Sequence, residues 1–336
     1  MSEITYPFGE TVPTEKPAII VPDVAWLRMP LPYVLNHVNI WLLRDQDGWC
    51  AVDTGATWEI GRRRWEDCLP AYRLVKQVVT HAHPDHIGQA GWLEDKTGAP
   101  LWITHGSYLA ALVRWNQWGN YSVRAMCDFF RHHGLDEMRL GKLAKHEGAY
   151  RRDCPSLPAT FHGLRDGGYI VIGHHRWEVM TGYGHAVEHA SLYCPERKLL
   201  VSGDMLLPSI ATNIPVAAVN PEDDPMQDFL DSIRRYRRLP DDVLVLPAHG
   251  RPFTGLHARL DFLENYHRLR ADKVLSICRK ACTAYEIAPV LFEKGMDEVH
   301  QCMFAMGESL AYLNYLEKRG KLERQEQNGV TRFVRI

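Results

Sequence analysis

The chain of 336 residues predicts an α/β layered body with a helical insertion, followed by a smaller helical module that ends in a hairpin. Three observations carry this. Apolar extended runs alternate with stretches of helical period between Val38 and Pro247. Residues 107–148 interrupt them with helical periods and a concentration of aromatic side chains. After Gly255 the strand signals cease until two short runs around Asn328-Gly329.

Residues 1–22 are proline-rich and read as an arm laid over the surface or a flexible tail. Residues 38–43 and 49–52 form two strands joined at Asp47-Gly48, good hairpin chemistry. They run into Asp53-Thr54-Gly55. A lone aspartate there would be a turn former; near a histidine cluster, Asp53 reads as the carboxylate that orients a metal-binding imidazole. Residues 58–69 have helical period, and 76–80 are the next strand. Directly after it comes His81-Ala82-His83-Pro84-Asp85-His86-Ile87-Gly88, with three imidazoles and a carboxylate within six residues. His81 and His83 are two apart, so on extended backbone they point the same way and can grip one ion. Pro84 biases His83 toward extended geometry. Asp85 and His86 fall where a helix running to about Lys96, and ended near Gly98, should begin. The turn aims them elsewhere, and two ions side by side is the natural reading. Residues 100–104 add a short strand.

The insertion at 107–148 holds Trp115, Trp118, Tyr121, Phe129 and Phe130, placed where a lid over a pocket would sit. Burial of the insertion against the body accounts for most of them. His132, His133 and His146 read as surface residues. Strands return at 169–172 and 176–180, and His174 and His175 occupy the hairpin tip, which discounts them as ligands. His185 follows in a glycine-rich loop and is the better ligand; His189, four further on, reads as packed behind the site. A hairpin over 191–201 runs into Asp204, a helix spans 224–238, and the strand 243–247 leads to His249. Asp53, the 81–86 cluster, His185, Asp204 and His249 thus share one local grammar: an apolar extended run, then a metal-capable residue beside glycine or proline. Its repetition argues for a single convergent cluster. Helices at 256–281, 285–292 and 297–319, the last stopped by Gly320, and strands flanking Asn328-Gly329 outline a small winged-helix module.

Composition narrows the classes. The net charge of −2 gives no global field toward nucleic acid or an anionic membrane. No apolar run approaches membrane-spanning length, and the N-terminus lacks the basic head and apolar core of a secretory signal. The eight cysteines are scattered without a Cys-x-x-Cys pair and read as reduced thiols, with Cys278 and Cys282 as helix packing. The expectation is a soluble cytoplasmic protein. Mixed charges in the C-terminal module suit covering the body or homodimer contacts better than reading nucleic acid.

The series His81-x-His83-x-Asp85-His86, then His185, Asp204 and His249, with Asp53-Thr54-Gly55 upstream, resembles the metallo-β-lactamase superfamily over roughly residues 20–255. The resemblance implies a four-layer αβ/βα sandwich with two divalent ions at one edge. It assigns His81, His83 and His185 to the first ion, Asp85, His86 and His249 to the second, and Asp204 to both. This ligand set is that of the glyoxalase II, lactonase and RNase Z branches; true β-lactamases lack the Asp-His half in this form. The tail resembles the winged-helix extension of a β-lactamase-like subgroup that includes thioester hydrolases and a nuclease. The expected domains are a catalytic one over residues 1–255 and a C-terminal one over 256–336. Imidazoles mixed with carboxylates suit zinc first, with iron or manganese as alternatives.

Such an ion pair would lower the pKa of a bridging water and polarise a carbonyl, the chemistry of a hydrolase. Asp85 has a second candidate task, taking a proton or hydrogen bond from that water. An acyl thioester, acyl-CoA-like, is the first-choice substrate, because a thiolate leaves without a strong acid. A lactone or other ester, and a phosphodiester or RNA, are the alternatives. Met205-Leu206-Leu207-Pro208-Ser209 lacks the tyrosine and lysine associated with glyoxalase II and the tyrosine typical of lactonases. A mononuclear iron sulfur dioxygenase would need only His81, His83, His185 and Asp204, so the intact second set favours hydrolysis. A non-enzymatic nucleic-acid-binding module would instead show salt-sensitive binding and negligible turnover.

Overall fold

A computed structural model describes residues 3–10, 12–292 and 296–336. In chain order the elements are β1 (Ala18–Val21), β2 (Val24–Pro30), β3 (His37–Asp45), β4 (Gly48–Val52), α1 (Glu59–Cys68), β5 (Leu74–Val78), α2 (Pro84–Ile87), α3 (Ala90–Thr97), β6 (Leu101–Thr104) and α4 (His105–Asn116). There follow α5 (Val123–His132), α6 (Glu137–Ala144), α7 (Ala149–Asp153), β7 (His162–Leu164), β8 (Tyr169–Ile172), β9 (His175–Gly182), β10 (His189–Cys194) and β11 (Leu199–Gly203). The remainder is α8 (Pro225–Arg234), β12 (Leu244–Pro247), α9 (Leu256–Ile277), α10 (Ala284–Leu291), α11 (Val299–Glu317), β13 (Leu322–Gln327) and β14 (Val330–Arg335). The chain divides into two compact units. The first comprises described residues of 1–115, 149–212 and 233–260; the second comprises 116–148, 213–232 and described residues of 261–336.

Two sheets build the first unit. One runs β1 to β7 in sequence order; the other runs β12-β11-β10-β9-β8. The first four strands of the larger sheet pair antiparallel, and β4 through β7 pair parallel. In the smaller sheet only β11–β12 is parallel. The inner layer is apolar from both sides: Trp26, Trp41, Leu43, Cys50, Val52 and Val78 meet Ile170, Trp177, Val179, Leu192, Val201 and Leu246. The outer face of the larger sheet is buried too, with Leu27, Met29, Ile40 and Leu42 against Trp65 of α1 and Leu93 of α3. Strands buried on both faces read as continuous apolar runs rather than alternations. That is why β2, whose seven residues are all buried or half-buried, is absent from the sequence reading. Of the proline-rich arm expected over 1–22, residues 1, 2 and 11 lie outside the described residues. Residues 18–21 of it are the edge strand β1, hydrogen-bonded to β2, a correction to the arm or tail.

The parallel strands set the direction of the chemistry. Carboxyl ends of β4, β5, β11 and β12 point to one rim, where the chain leaves the sheet and side chains converge. Gly88 shows how closely the chain packs after β5: a methyl group there would lie 2.3 Å from the Pro84 carbonyl oxygen, 2.5 Å from that of Asp153 and 2.8 Å from that of Gly55.

Within the second unit the expected order of helices and hairpin is present, with shifted ends. The helix expected to 281 stops at Ile277, and Cys282 forms an isolated bridge to Phe333 of β14. Thr283 and Glu286 cap α10 reciprocally, each side chain accepting the other's backbone N–H. Asn328 and Gly329 both take positive φ, 54° and 75°, as a two-residue I′ turn requires. His133 is not the surface residue that its polar neighbours suggested. It is buried beside Phe129, and burial, with Arg324 and His132 nearby, lowers its pKa to about 4. His132 is exposed and His146 half-buried.

Candidate metal centre

Each predicted ligand, and Asp53, lies just past the end of a strand or opens the helix after it, whereas His189 begins a strand. Asp53 follows β4 with φ of 67°, a left-handed conformation aspartate tolerates better than most residues. Its Oδ1 accepts the Thr80 backbone N–H at 2.8 Å, and its Oδ2 accepts from His86 Nδ1 at 2.8 Å. The strand end β5 and the start of α2 are thereby tied to one carboxylate. His83 caps α2 in extended geometry (φ −72°, ψ 145°), as the following proline requires.

The side chains converge as two groups. His81, His83, His185 and Asp204 offer one ligand atom each within 4.8 Å of one another, and so do Asp85, His86 and His249. In the first group His81 Nε2 lies 2.8 Å from His83 Nδ1 and 3.2 Å from His185 Nε2. Asp204 joins the groups: its Oδ2 is 3.3 Å from His185 Nε2 and 3.5 Å from His86 Nε2, while its Oδ1 is 3.3 Å from His249 Nε2. Asp85 Oδ2 stands 3.4 Å from His86 Nε2 and 3.5 Å from His249 Nε2. Contacts of this length are long for charge-assisted hydrogen bonds. They match the edge of about 3.3 Å expected of a tetrahedron of donors 2.0–2.1 Å from a zinc-sized ion.

The residues fit a pair of divalent cations on further grounds. His86 Nε2 and Asp204 Oδ1 are buried without a hydrogen-bond donor or acceptor of their own, a costly state unless a cation uses their lone pairs. The tautomers agree. His86 Nδ1–H donates to Asp53, His249 Nδ1–H donates to the His37 carbonyl oxygen at 2.6 Å, and Thr80 Oγ1 sits 3.0 Å from His81 Nδ1. Each arrangement leaves Nε2 as the lone pair facing inward. Burial, reinforced by the neighbouring imidazoles, pushes His81 and His83 well below the usual histidine range, so both are neutral donors. Burial opposes ionisation of Asp204, but His249 and His86 outweigh it as imidazoliums and hold the carboxyl well below its ordinary value. Both imidazoles are themselves raised above the ordinary histidine value, against their burial, by the Asp85 and Asp204 carboxylates. A cation held here would take the place of those protons and free both lone pairs.

His189 begins β10 with no exposed surface, and its Nε2 accepts the Asp204 backbone N–H at 3.1 Å. His174 remains at the exposed β8–β9 turn, away from both groups. Two supports escaped the sequence reading. Thr80 links Asp53, His81 and His86 through one hydroxyl. His37 holds the His249-Gly250 turn, its carbonyl oxygen accepting from His249 and its Nε2 accepting the Gly250 N–H at 2.8 Å. The Thr80 hydroxyl had a signal, since it directly precedes the motif. His37 had none, because it works partly through its main chain.

A two-sheet body with such histidine and aspartate groups at one rim defines a metal-dependent hydrolase class. The chain belongs to the metallo-beta-lactamase superfamily, whose model matches residues 33–249, and the metallo-beta-lactamase-like C-terminal domain model matches residues 271–336. The crystal structure of a beta-lactamase domain protein from Burkholderia ambifaria superposes with a TM-score of 0.92 at 38% identity, covering 99% of this chain and 98% of that one. The probable metallo-hydrolase YqjP of Bacillus subtilis is 26% identical over 88% of this chain and 92% of its own length. The acyl-coenzyme A thioesterase MBLAC2 of Gallus gallus is 26% identical over 74% of this chain and 83% of its own. The protein is a metallo-hydrolase of this superfamily.

Proposed function

We propose that the protein is a two-metal thioester hydrolase acting on acyl-CoA-like substrates, with zinc as the first-choice ion and residues 1–255 as its catalytic domain. The observation that carries this reading is the position of Asp204 between the two groups, which lets one carboxylate serve both ions. His81, His83 and His185 hold the first ion in this reading, and Asp85, His86 and His249 the second. When bound, such a pair supplies Lewis acidity for a carbonyl oxygen and lowers the pKa of a coordinated water. The chain's own residues do the remainder. Asp53, Thr80 and the His37 carbonyl keep the imidazole lone pairs aimed inward. The Asp85 side chain is one-fifth exposed, against less than a tenth for that of Asp204, so Asp85 is the carboxylate reachable by an attacking water and accepts its hydrogen.

Substrate class follows from what the site does not offer. Asp85, its pKa lowered to about 2 with His86 and His249 beside it, and Asp204, held well below its ordinary value, both enter the reaction ionised, so neither stands ready as an acid toward the leaving group. A thiolate, with a conjugate-acid pKa of about 8.5, needs none; an alkoxide does. Similarity to the chicken acyl-CoA thioesterase supports the same choice. The test is a hydrolysis screen of the zinc-loaded protein against acyl-CoA thioesters, lactones, phosphodiesters and β-lactams. Thioesters turned over best is the expected result; a lactone or phosphodiester hydrolysed faster than every thioester overturns the reading.

A further inference from the structure

Within the second unit two cysteines meet. Cys278 directly follows the last residue of α9, and Cys282 lies four residues on, in the isolated bridge to β14. Their Sγ atoms are 3.5 Å apart, in van der Waals contact, so a covalent bond of about 2.05 Å needs a closure of only about 1.5 Å. The surrounding backbone is fixed from both sides. Cys282 N donates to the Phe333 carbonyl at 3.0 Å, Phe333 N donates to the Cys282 carbonyl at 2.8 Å, and Arg335 N donates to the Cys278 carbonyl at 2.7 Å. Cys278 is wholly buried, while Cys282 keeps 7% of its surface exposed. Both thiols are buried, and of the pair Cys282 lies nearer the surface with Cys278 behind it, so a small oxidant meets Cys282 first and Cys278 is placed to resolve it.

We propose that Cys278 and Cys282 form a reversible dithiol–disulfide modification site for a hydroperoxide. The Cys282 thiol gives up its proton as its sulfur attacks one oxygen of hydrogen peroxide, the O–O bond breaks, and the departing hydroxide takes that proton to become water. The sulfur is left as a sulfenic acid. The Cys278 sulfur then attacks it, an S–S bond forms, and the sulfenic hydroxyl leaves with the Cys278 proton as a second water. Two thiols lose two electrons and one peroxide gains them, so no further reactant is needed. The ring closed is short, removes little chain entropy from the unfolded state, and is correspondingly easy to reduce.

Arg279 and Lys280 lie between the cysteines, so trypsin cuts there and separates them into two peptides unless a disulfide joins them. The native, metal-loaded full chain is treated with one equivalent of hydrogen peroxide, alkylated, digested without reductant and analysed by mass spectrometry. The expected product is a single species linking the peptide ending in Arg279 to the one beginning at Ala281, separated by dithiothreitol. Cys278→Ser should lose the link and leave Cys282 as a dimedone-trappable sulfenic acid; Cys278→Ala serves if the serine variant folds poorly. Cys282 alkylated in full after peroxide, a link that forms only in urea, or earlier oxidation of any of the other six buried cysteines overturns the proposal.

Discussion

Asp53→Asn tests how the site is oriented with a near-isosteric change. Asparagine tolerates the positive φ at this position and can keep one oxygen on the Thr80 N–H. Its amide nitrogen must then replace Oδ2, which now accepts from His86 Nδ1 at 2.8 Å. Two donors cannot face each other, so His86 is driven to the other tautomer, with its proton on Nε2. That nitrogen is the one 3.4 Å from Asp85 Oδ2 and 3.5 Å from Asp204 Oδ2, and a protonated nitrogen has no lone pair for a cation. Replacing the partner behind a metal-bound imidazole weakens binding about 10- to 100-fold, or about 1.4–2.8 kcal/mol. The loss should fall on the group formed by Asp85, His86 and His249 and spare the one formed by His81, His83 and His185. Metal-free stability should change by no more than one exchanged hydrogen bond, about 1 kcal/mol. Competition titration with a chromophoric chelator reads this directly: two tight equivalents for the parent, one tight and one weakened for the variant. Two equivalents with unchanged affinity would refute the tautomer argument.

Three further outcomes are expected. His83→Ala should strip metal and abolish turnover while His174→Ala leaves the metal content unchanged; inductively coupled plasma measurement of both variants decides it, and a lost ion in the second points to the wrong histidine. His133 is held neutral by burial, with a folded pKa of about 4 against the ordinary 6.5. The stability it contributes is intact above pH 6.5, falls as the unfolded state takes up a proton, and is about 3 kcal/mol lower by pH 4. The urea midpoint of His133→Leu should therefore vary less over that interval than the parent's, and parallel profiles would contradict it. Gly88→Ala places a methyl group against three backbone carbonyls that cannot yield separately. It should lower the unfolding midpoint by at least the equivalent of about 1–3 kcal/mol and weaken metal retention, by differential scanning fluorimetry with and without chelator.

Much of this fold was legible because its signals are local. Asn328-Gly329 marks a hairpin by its own backbone preference and forms its turn. The first hairpin is where the sequence places it, but its turn pair is Gln46-Asp47, and Gly48 opens β4, where a methyl group would lie 2.5 Å from the Arg73 carbonyl oxygen. The histidine motif announces itself because its residues are neighbours along the chain. Elsewhere tertiary packing removed the signal. β2 is buried on both faces, so alternation disappears, and Pro30 at its end reads as loop chemistry. His133 follows exposed Arg131 and His132 yet turns inward, which periodicity over so short a helix cannot resolve. The end of α9 at Ile277 is set by the pairing of Cys282 with Phe333, 51 residues away, and no window around 277 contains that information. For the site, the residues that bear lone pairs were named from sequence, whereas the carbonyl of His37 was not, since every residue has one.

The last member of the metal groups comes from the strand at the border of the smaller sheet. His249 follows β12, which pairs in parallel with β11 alone and is the final strand of that sheet to leave the ribosome. Until it is made, β11 offers an unpaired border and Asp85 and His86 lack their third companion. Parallel strands joined through a long crossover pair late. In the two-metal reading, completion of the sheet and capture of a second cation would be one event in biogenesis, and a chain stalled before Leu244 would present a sticky border and a half-built cage together.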